Sequence, residues 1–206
     1  MRISDVDLLI VPGWMNSSPD HWQSRWEAKL STARRVAMPD FDRPVLNDWV
    51  GALISAVRIA TRPVVFVAHS CGATAIAHAA PHLPADKVIG AMLVTPPDRL
   101  SGPAINAFIL EHGNGVRAPQ GFDPAPLQSL PFPSLLVASR NDPFCSFDRA
   151  EELAAAWKST FIDAGEAGHI NAASGYGPWP DGALRLANFM QGLTAVPSDR
   201  KVEEKR

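Results

Sequence analysis

The 206-residue chain contains only two cysteines, Cys71 and Cys145, which is too few for a disulfide framework. These cysteines are not grouped with histidine, so a structural zinc site of the usual kind is excluded. We therefore expect a reduced, cytoplasmic setting and a protein that needs neither a metal nor another cofactor.

Positive charge is not concentrated anywhere in the chain, and the formal net charge is −2. Without a basic stripe, we expect no nucleic-acid partner. No apolar run approaches the roughly 18 residues that span a bilayer, so we expect no membrane partner either. Residues 1–7 carry acids where a signal peptide has its apolar core, which argues against a secretion signal. Nucleotide-binding motifs are also missing, since the sequence has neither G-x-G-x-x-G after its first apolar run nor a P-loop.

The composition that is present is ordinary for a globular protein, with 46% apolar and 19% charged residues. We predict one domain over residues 1–194, followed by a charged, disordered tail at 195–206. Proline is abundant at 19 residues, and eight of these lie between Pro96 and Pro133, which predicts a loop-rich insertion. The sequence does not determine the oligomeric state, and a monomer is assumed.

Short apolar runs alternate with helical patterns along the chain. Strands are predicted at 7–11, 34–38, 64–68, 87–94, 134–138 and 159–163. Helices are predicted at 18–30, 47–60, 71–80, 148–157 and 181–193. Because the strands are continuous apolar runs, the fold class is α/β, with a compact, mostly parallel sheet of about five to six strands and helices on both faces. Functional residues are then expected just past the carboxyl ends of the strands.

One segment carries most of the functional information. The apolar run from Val64 ends at Ser70, and small residues suited to a helix follow. A buried strand, a sharp turn and a helix with serine at the apex are typical of a nucleophile elbow. The usual pattern is G-x-S-x-G, and Ala68 stands at the first glycine, where a small residue still avoids a clash across the turn. The alternative is that the serine only caps the helix.

The acid candidate is Asp142, which follows a predicted strand and precedes Pro143. Its alternative role is to stabilise that loop as an Asx turn. Three other aspartates compete for the role. Asp148 resembles a helix N-cap, Asp163 lies close to its strand, and Asp123 lies in the proline-rich insertion.

The base candidate is His169, in a glycine-rich loop beyond the last predicted strand, where an exposed, mobile segment is expected. The other histidines are less suited by position, although His21 could line a pocket; they are His21, His69, His78, His82 and His112. The order Ser…Asp…His is the one that α/β-hydrolases use. A serine hydroxyl needs a base to remove its proton, and the acid orients that base.

An oxyanion formed at the serine needs preorganised donors. In the nucleophile-elbow architecture these are backbone N–H groups, one of them from the residue after the nucleophile. Here that residue is Cys71, whose thiol therefore need not be reactive. The second donor is expected from the loop after the first strand, at Trp14.

These pieces together resemble a known family of small hydrolases. The matching segments are 11–14, 18–27, 68–73, 139–143, 168–171 and 175–180. In this combination the chain resembles the small α/β-hydrolases of the retinoblastoma-binding-protein-9 and YdeN type, over residues of about 8 to 192. The resemblance implies an α/β-hydrolase fold without a large lid domain. It also implies Ser70 as nucleophile, Asp142 as acid and His169 as base.

The function expected from these residues is that of a serine hydrolase. It would cleave a small carboxylic ester or amide through a Ser-His-Asp triad and an acyl-enzyme intermediate. Residues 96–133 would cover the site in part, and the pocket walls would include His21, Trp22 and Trp179. The alternative is an interaction module with this fold and a vestigial site, since fold does not imply activity.

Overall fold

A computed structural model describes residues 1–98, 107–108, 111 and 117–193 of the chain. The predicted tail at 195–206 lies outside the described residues. So do His112 and part of the proline-rich insertion.

The described part of the chain forms one six-stranded sheet in which every neighbouring pair is parallel. The strands are β1 (Asp7–Val11), β2 (Ala33–Arg35), β3 (Val64–His69), β4 (Val88–Val94), β5 (Ser134–Ala138) and β6 (Thr160–Asp163). Their order across the sheet is β2-β1-β3-β4-β5-β6. The predicted parallel α/β architecture is confirmed.

Helices cover both faces of the sheet. They are α1 (Trp22–Lys29), α2 (Leu46–Arg58), α3 (Cys71–Ala79), α4 (Phe147–Trp157) and α5 (Pro180–Gln191). Helices α2, α3 and α4 pack into one apolar cluster, and α1 and α5 pack into the other. Alternate residues of each central strand feed opposite clusters. Phe66 of β3 joins the first and Val67 joins the second, both without solvent exposure.

Four helix starts differ from the predictions, that of α5 by one residue at Pro180. Helix α1 begins at Trp22 because His21, and not Ser18, occupies its N-cap and accepts a hydrogen bond from the helix backbone. Helix α4 begins at Phe147, since Ser146 rather than Asp148 caps it. Helix α2 begins one residue early at Leu46, and its N-cap residue makes no side-chain cap. Cap identity depends on the path of the preceding loop, which apolar periodicity does not report.

The strand order places a switch point between β1 and β3. From β1 the chain leads to β2 on one side, whereas β3 lies on the other side. The loops after β1 and β3 therefore diverge at the carboxyl edge of the sheet and leave a crevice between them. The candidate site lies in this crevice.

Candidate active site

Ser70 lies at the sharp turn between β3 and α3. Its backbone has φ 53° and ψ −131°, a conformation that L-residues rarely adopt. Two glycines make the turn possible. A Cβ on Gly72 would lie 2.5 Å from the carbonyl oxygen of Val11, and a Cβ on Gly13 would lie 2.6 Å from the Cβ of Ser70. The loop after β1 therefore packs directly against the serine.

Three side chains that the sequence singled out form a continuous hydrogen-bonded chain. The hydroxyl of Ser70 donates to Nε2 of His169 over 2.9 Å. Nδ1–H of His169 donates to the carboxylate of Asp142, at 2.9 Å from Oδ1 and 3.1 Å from Oδ2. The imidazole and the carboxylate are both buried, with 7% and 3% of their side-chain surfaces exposed. The expectation that His169 lies on an exposed segment is wrong.

The loop that carries His169 is held by polar side chains from its own end and from the segment that follows β5. Ser174 Oγ accepts a hydrogen bond from the backbone N–H of His169 over 3.1 Å. Asn141 Oδ1 accepts from the N–H of Gly168 over 2.7 Å, and Ser139 Oγ accepts from the N–H of Ala167 over 2.9 Å. The backbone N–H groups of Ala167 and Gly168 are thus tied to the segment that carries Asp142.

The carbonyl of His169 receives two further hydrogen bonds. Nε2–H of His69 donates to it over 2.8 Å, and the hydroxyl of Thr95 donates over 3.2 Å. Burial lowers the pKa of His69 well below its usual value, so this imidazole is neutral and keeps one ring N–H for the bond. Neither His69 nor Thr95 has a role that the sequence predicted, although both follow predicted strands.

The three aspartates that competed with Asp142 for the role of the acid lie elsewhere or bond to other groups. Asp163 forms an ion pair with Arg140 at 2.6 Å, and this hydrogen bond lowers the pKa of Asp163. Asp148 lies in the first turn of α4. Asp123 lines the cavity described below. Among the competing histidines, His78 bonds through Nε2 to the carbonyl of Phe122.

A cavity of about 640 Å³ lies over Ser70, within the size range of small-molecule sites. Aromatic and proline side chains line part of it, namely Trp14, Pro97, Phe108, Pro119, Phe122 and Phe144. Polar residues line another part, namely Asn16, Ser17, Ser18, His21, His69 and Asn171. The insertion expected to cover the site thus contributes to its wall.

Two of the three predicted pocket residues lie in the core and not at the cavity. The indoles of Trp22 and Trp179 pack on each other with ring centroids 5.0 Å apart, and they are 0% and 5% exposed. The indole N–H of Trp22 donates to the carbonyl of Ile170 over 2.9 Å. Trp22 thus supports the loop of His169 from behind. The third predicted pocket residue, His21, does line the cavity.

The two residues expected to supply oxyanion donors both border the cavity. Cys71 is the first residue of α3, where backbone N–H groups have no partner within the helix. Burial raises the pKa of its thiol to about 12, although a hydrogen bond from the backbone N–H of Trp14 lowers that pKa by a smaller amount. At neutral pH the thiol is therefore protonated and a poor nucleophile.

Gln23 is a further residue that sequence reasoning missed. Its side chain is fully buried, and Nε2 donates to the carbonyls of Val11 and Val67 over 3.1 and 3.0 Å. Its Oε1 accepts from the hydroxyl of Ser17 over 2.7 Å. Gln23 therefore links the carboxyl ends of β1 and β3 on either side of the crevice. Its position in segment 18–27, which carries the family resemblance, was a signal that the sequence did offer.

Within the described ranges, no group of three or more His, Cys, Asp or Glu side chains is arranged to hold a metal ion. The same part of the chain has no helix that is both long and apolar enough to cross a bilayer.

Comparison with known proteins places the chain in a family. The family model described as serine hydrolase matches residues 8–188. A structure described as a YdeN-like hydrolase from Pectobacterium atrosepticum is 34% identical, with a TM-score of 0.75 over 92% of this chain and 93% of that one. No curated protein matches the sequence significantly.

More distant structures share the fold. The ydeN gene product from B. subtilis is 21% identical, with a TM-score of 0.65 over 89% of this chain and 98% of that one. The carboxylesterase CesB from Bacillus subtilis is 13% identical, with a TM-score of 0.60 over 90% and 83% of the two chains. The crevice geometry, the family match and the 34% identical structure agree, and the chain belongs to the serine hydrolase family.

Proposed function

We propose that the protein cleaves a small carboxylic ester or amide by transferring its acyl group to Ser70. The observation that carries the proposal is the unbroken hydrogen-bonded chain from Asp142 through His169 to Ser70. The carboxylate of Asp142 accepts the proton on Nδ1 of His169 and so selects the tautomer with a lone pair on Nε2. That lone pair can then accept the proton of the Ser70 hydroxyl.

In the first half of the reaction, Ser70 Oγ attacks the substrate carbonyl carbon while His169 Nε2 takes the hydroxyl proton. The resulting oxyanion would accept hydrogen bonds from the backbone N–H groups of Trp14 and Cys71. Each such donor is worth roughly 3–4 kcal/mol of transition-state stabilisation in well-studied enzymes. Collapse of the tetrahedral species breaks the bond to the alcohol or amine, which leaves with the proton from His169.

In the second half, a water molecule attacks the acyl-serine ester and gives one proton to His169. The acid product departs, and that proton returns to Ser70. Because Asp142 and His169 are buried together, the imidazolium that forms in each half is stabilised in a site with little solvent. The cavity volume of about 640 Å³ suits a small substrate better than a long-chain lipid.

Labelling with a fluorophosphonate tests the assignment. The expected adduct maps to Ser70 by peptide mass spectrometry and is absent in Ser70→Ala. Ser55→Ala, which removes an exposed serine from α2, is the matched control and should label like the wild type. Labelling that persists in Ser70→Ala would contradict the assignment. Absence of both label and ester turnover would favour the interaction-module alternative.

A further inference from the structure

Two buried side-chain atoms stand out because they have no hydrogen-bond partner within the described part of the chain. They are Nε2 of His21 and Oγ1 of Thr74. Both residues line the cavity over Ser70. An unpaired buried polar atom costs free energy unless a ligand satisfies it, so its position indicates where a polar group of the substrate would bind.

The tautomer of His21 follows from its local contacts. His21 caps α1, and its Nδ1 accepts a hydrogen bond from the backbone N–H of Gln23 over 3.1 Å. Nδ1 therefore carries a lone pair, and the ring proton resides on Nε2. Burial, with only 4% of the residue exposed, lowers the pKa of His21 to about 4. At neutral pH the unpaired atom is thus an uncharged N–H donor.

His21 lies on the same side of the cavity as His169. The ring of His21 contacts that of His69 with centroids 4.9 Å apart, and His69 contacts His169 at 4.8 Å. The leaving group must approach Nε2 of His169 to receive its proton. The ring of Phe144 also contacts that of His169, with centroids 4.6 Å apart. The space open to the leaving group is therefore bordered by Phe144 as well as by the polar wall that contains His21.

We propose that His21 is a specificity-determining residue whose Nε2–H donates a hydrogen bond to an uncharged oxygen in the substrate's leaving group. The inference rests on the proposed serine hydrolysis. The substrate class is then an ester or amide whose alcohol or amine part carries an ether, hydroxyl or carbonyl oxygen close to the scissile bond. A purely alkyl leaving group would leave the buried N–H unpaired and be disfavoured.

Two propanoate esters of matched shape test the proposal, one of 2-methoxyethanol and one of n-butanol, because they differ by an oxygen in place of a methylene. The measurement is the ratio of their kcat/KM values, divided by the ratio of their alkaline hydrolysis rates. For the wild type we expect a corrected ratio of about tenfold in favour of the methoxyethyl ester, because one hydrogen bond to a buried donor contributes enough free energy for a tenfold preference.

Two variants separate the capping role of His21 from its donor role. In His21→Asn the side-chain oxygen can replace Nδ1 as helix cap, but no group reaches the position of Nε2. The corrected ratio should fall to about one. In His21→Gln the amide N–H can replace Nε2–H, and the preference should persist. His82→Asn makes the same change at an exposed histidine and should keep the wild-type ratio.

A wild-type enzyme that cleaves both esters with a corrected ratio near one overturns this inference and leaves serine hydrolysis intact, whether or not the variants fold. A preference that survives in His21→Asn overturns it as well. If neither ester is cleaved and Ser70 takes no fluorophosphonate, the proposed function itself fails, and the inference fails with it.

Discussion

The imidazole of His69 donates a hydrogen bond from Nε2 to the backbone carbonyl of His169 over 2.8 Å. The two residues are 100 positions apart in sequence. One directly precedes the proposed nucleophile, and the other is the proposed base. The strand that leads to the serine therefore also holds the backbone of the proposed base.

Loss of this hydrogen bond should reduce turnover more than substrate binding. In His69→Phe we expect kcat to fall by about tenfold or more with a much smaller change in KM, because a displaced imidazole no longer meets Ser70 in line. His69→Gln can supply an amide N–H in place of the ring N–H and should recover most of kcat. Steady-state kinetics on the propanoate esters measures both parameters. Equal losses in the two variants would indicate a packing defect and not a lost hydrogen bond.

Gly13 should tolerate no side chain. An alanine Cβ at this position would lie 2.6 Å from the Cβ of Ser70 and 3.1 Å from its Oγ. We expect Gly13→Ala to displace the serine and to slow fluorophosphonate labelling by about tenfold or more.

The matched control for Gly13 is Gly51→Ala in α2. A Cβ at Gly51 would meet nothing within 4 Å. The labelling rate should stay at the wild-type value, and stability should rise by about 0.5–1 kcal/mol, since alanine is the better helix former. Wild-type labelling in Gly13→Ala would show that the loop after β1 does not position Ser70.

Replacing Gln23 should destabilise the protein through the polar groups left behind. Gln23→Met keeps a similar volume but leaves the carbonyls of Val11 and Val67 without this donor. We expect the free energy of unfolding to fall by at least about 2 kcal/mol in urea titrations. Gln191→Met makes the same change at an exposed site and should stay within about 0.5 kcal/mol. If the free energy of unfolding of Gln23→Met fell by no more than about 0.5 kcal/mol, that result would contradict the assigned hydrogen bonds.

Acid should weaken the fold through His21. Its pKa is lowered to about 4 in the folded state from an ordinary value of 6.5. Below about pH 6.5 the unfolded chain binds a proton that the folded protein does not bind, so stability falls as the pH decreases towards 4. The loss from this residue would reach roughly 3 kcal/mol. Burial lowers the pKa of His69 in the same direction.

The measurement is a set of urea titrations between pH 7.5 and 4.5 on the wild type and on His21→Asn. The variant cannot take up this proton on unfolding, so its stability should depend less steeply on pH over that range. Parallel curves for the two proteins would mean that His21 is not held neutral in the fold.

Much of the architecture could be predicted because it depends on local patterns. The apolar runs at 64–68 and 134–138 predict buried strands, and continuous rather than alternating hydrophobicity predicts parallel pairing. Parallel strands end at one edge, so Ser70, Asp142 and His169 could be expected near one another from positions in the chain alone. The helix caps were missed because they depend on how the preceding loops approach.

The sequence by itself determined the fold class, the family and the three polar residues at the strand ends, since each follows from residue type and spacing. Only the tertiary structure decided which polar atoms meet. The bond from His69 to His169 and the link by Gln23 between two strand ends join segments far apart in the chain. The unpaired Nε2 of His21 belongs to a residue of the cavity wall, which several separate segments build. The physical reason is that hydrogen bonding depends on distance and direction in space, which hydrophobic periodicity does not encode.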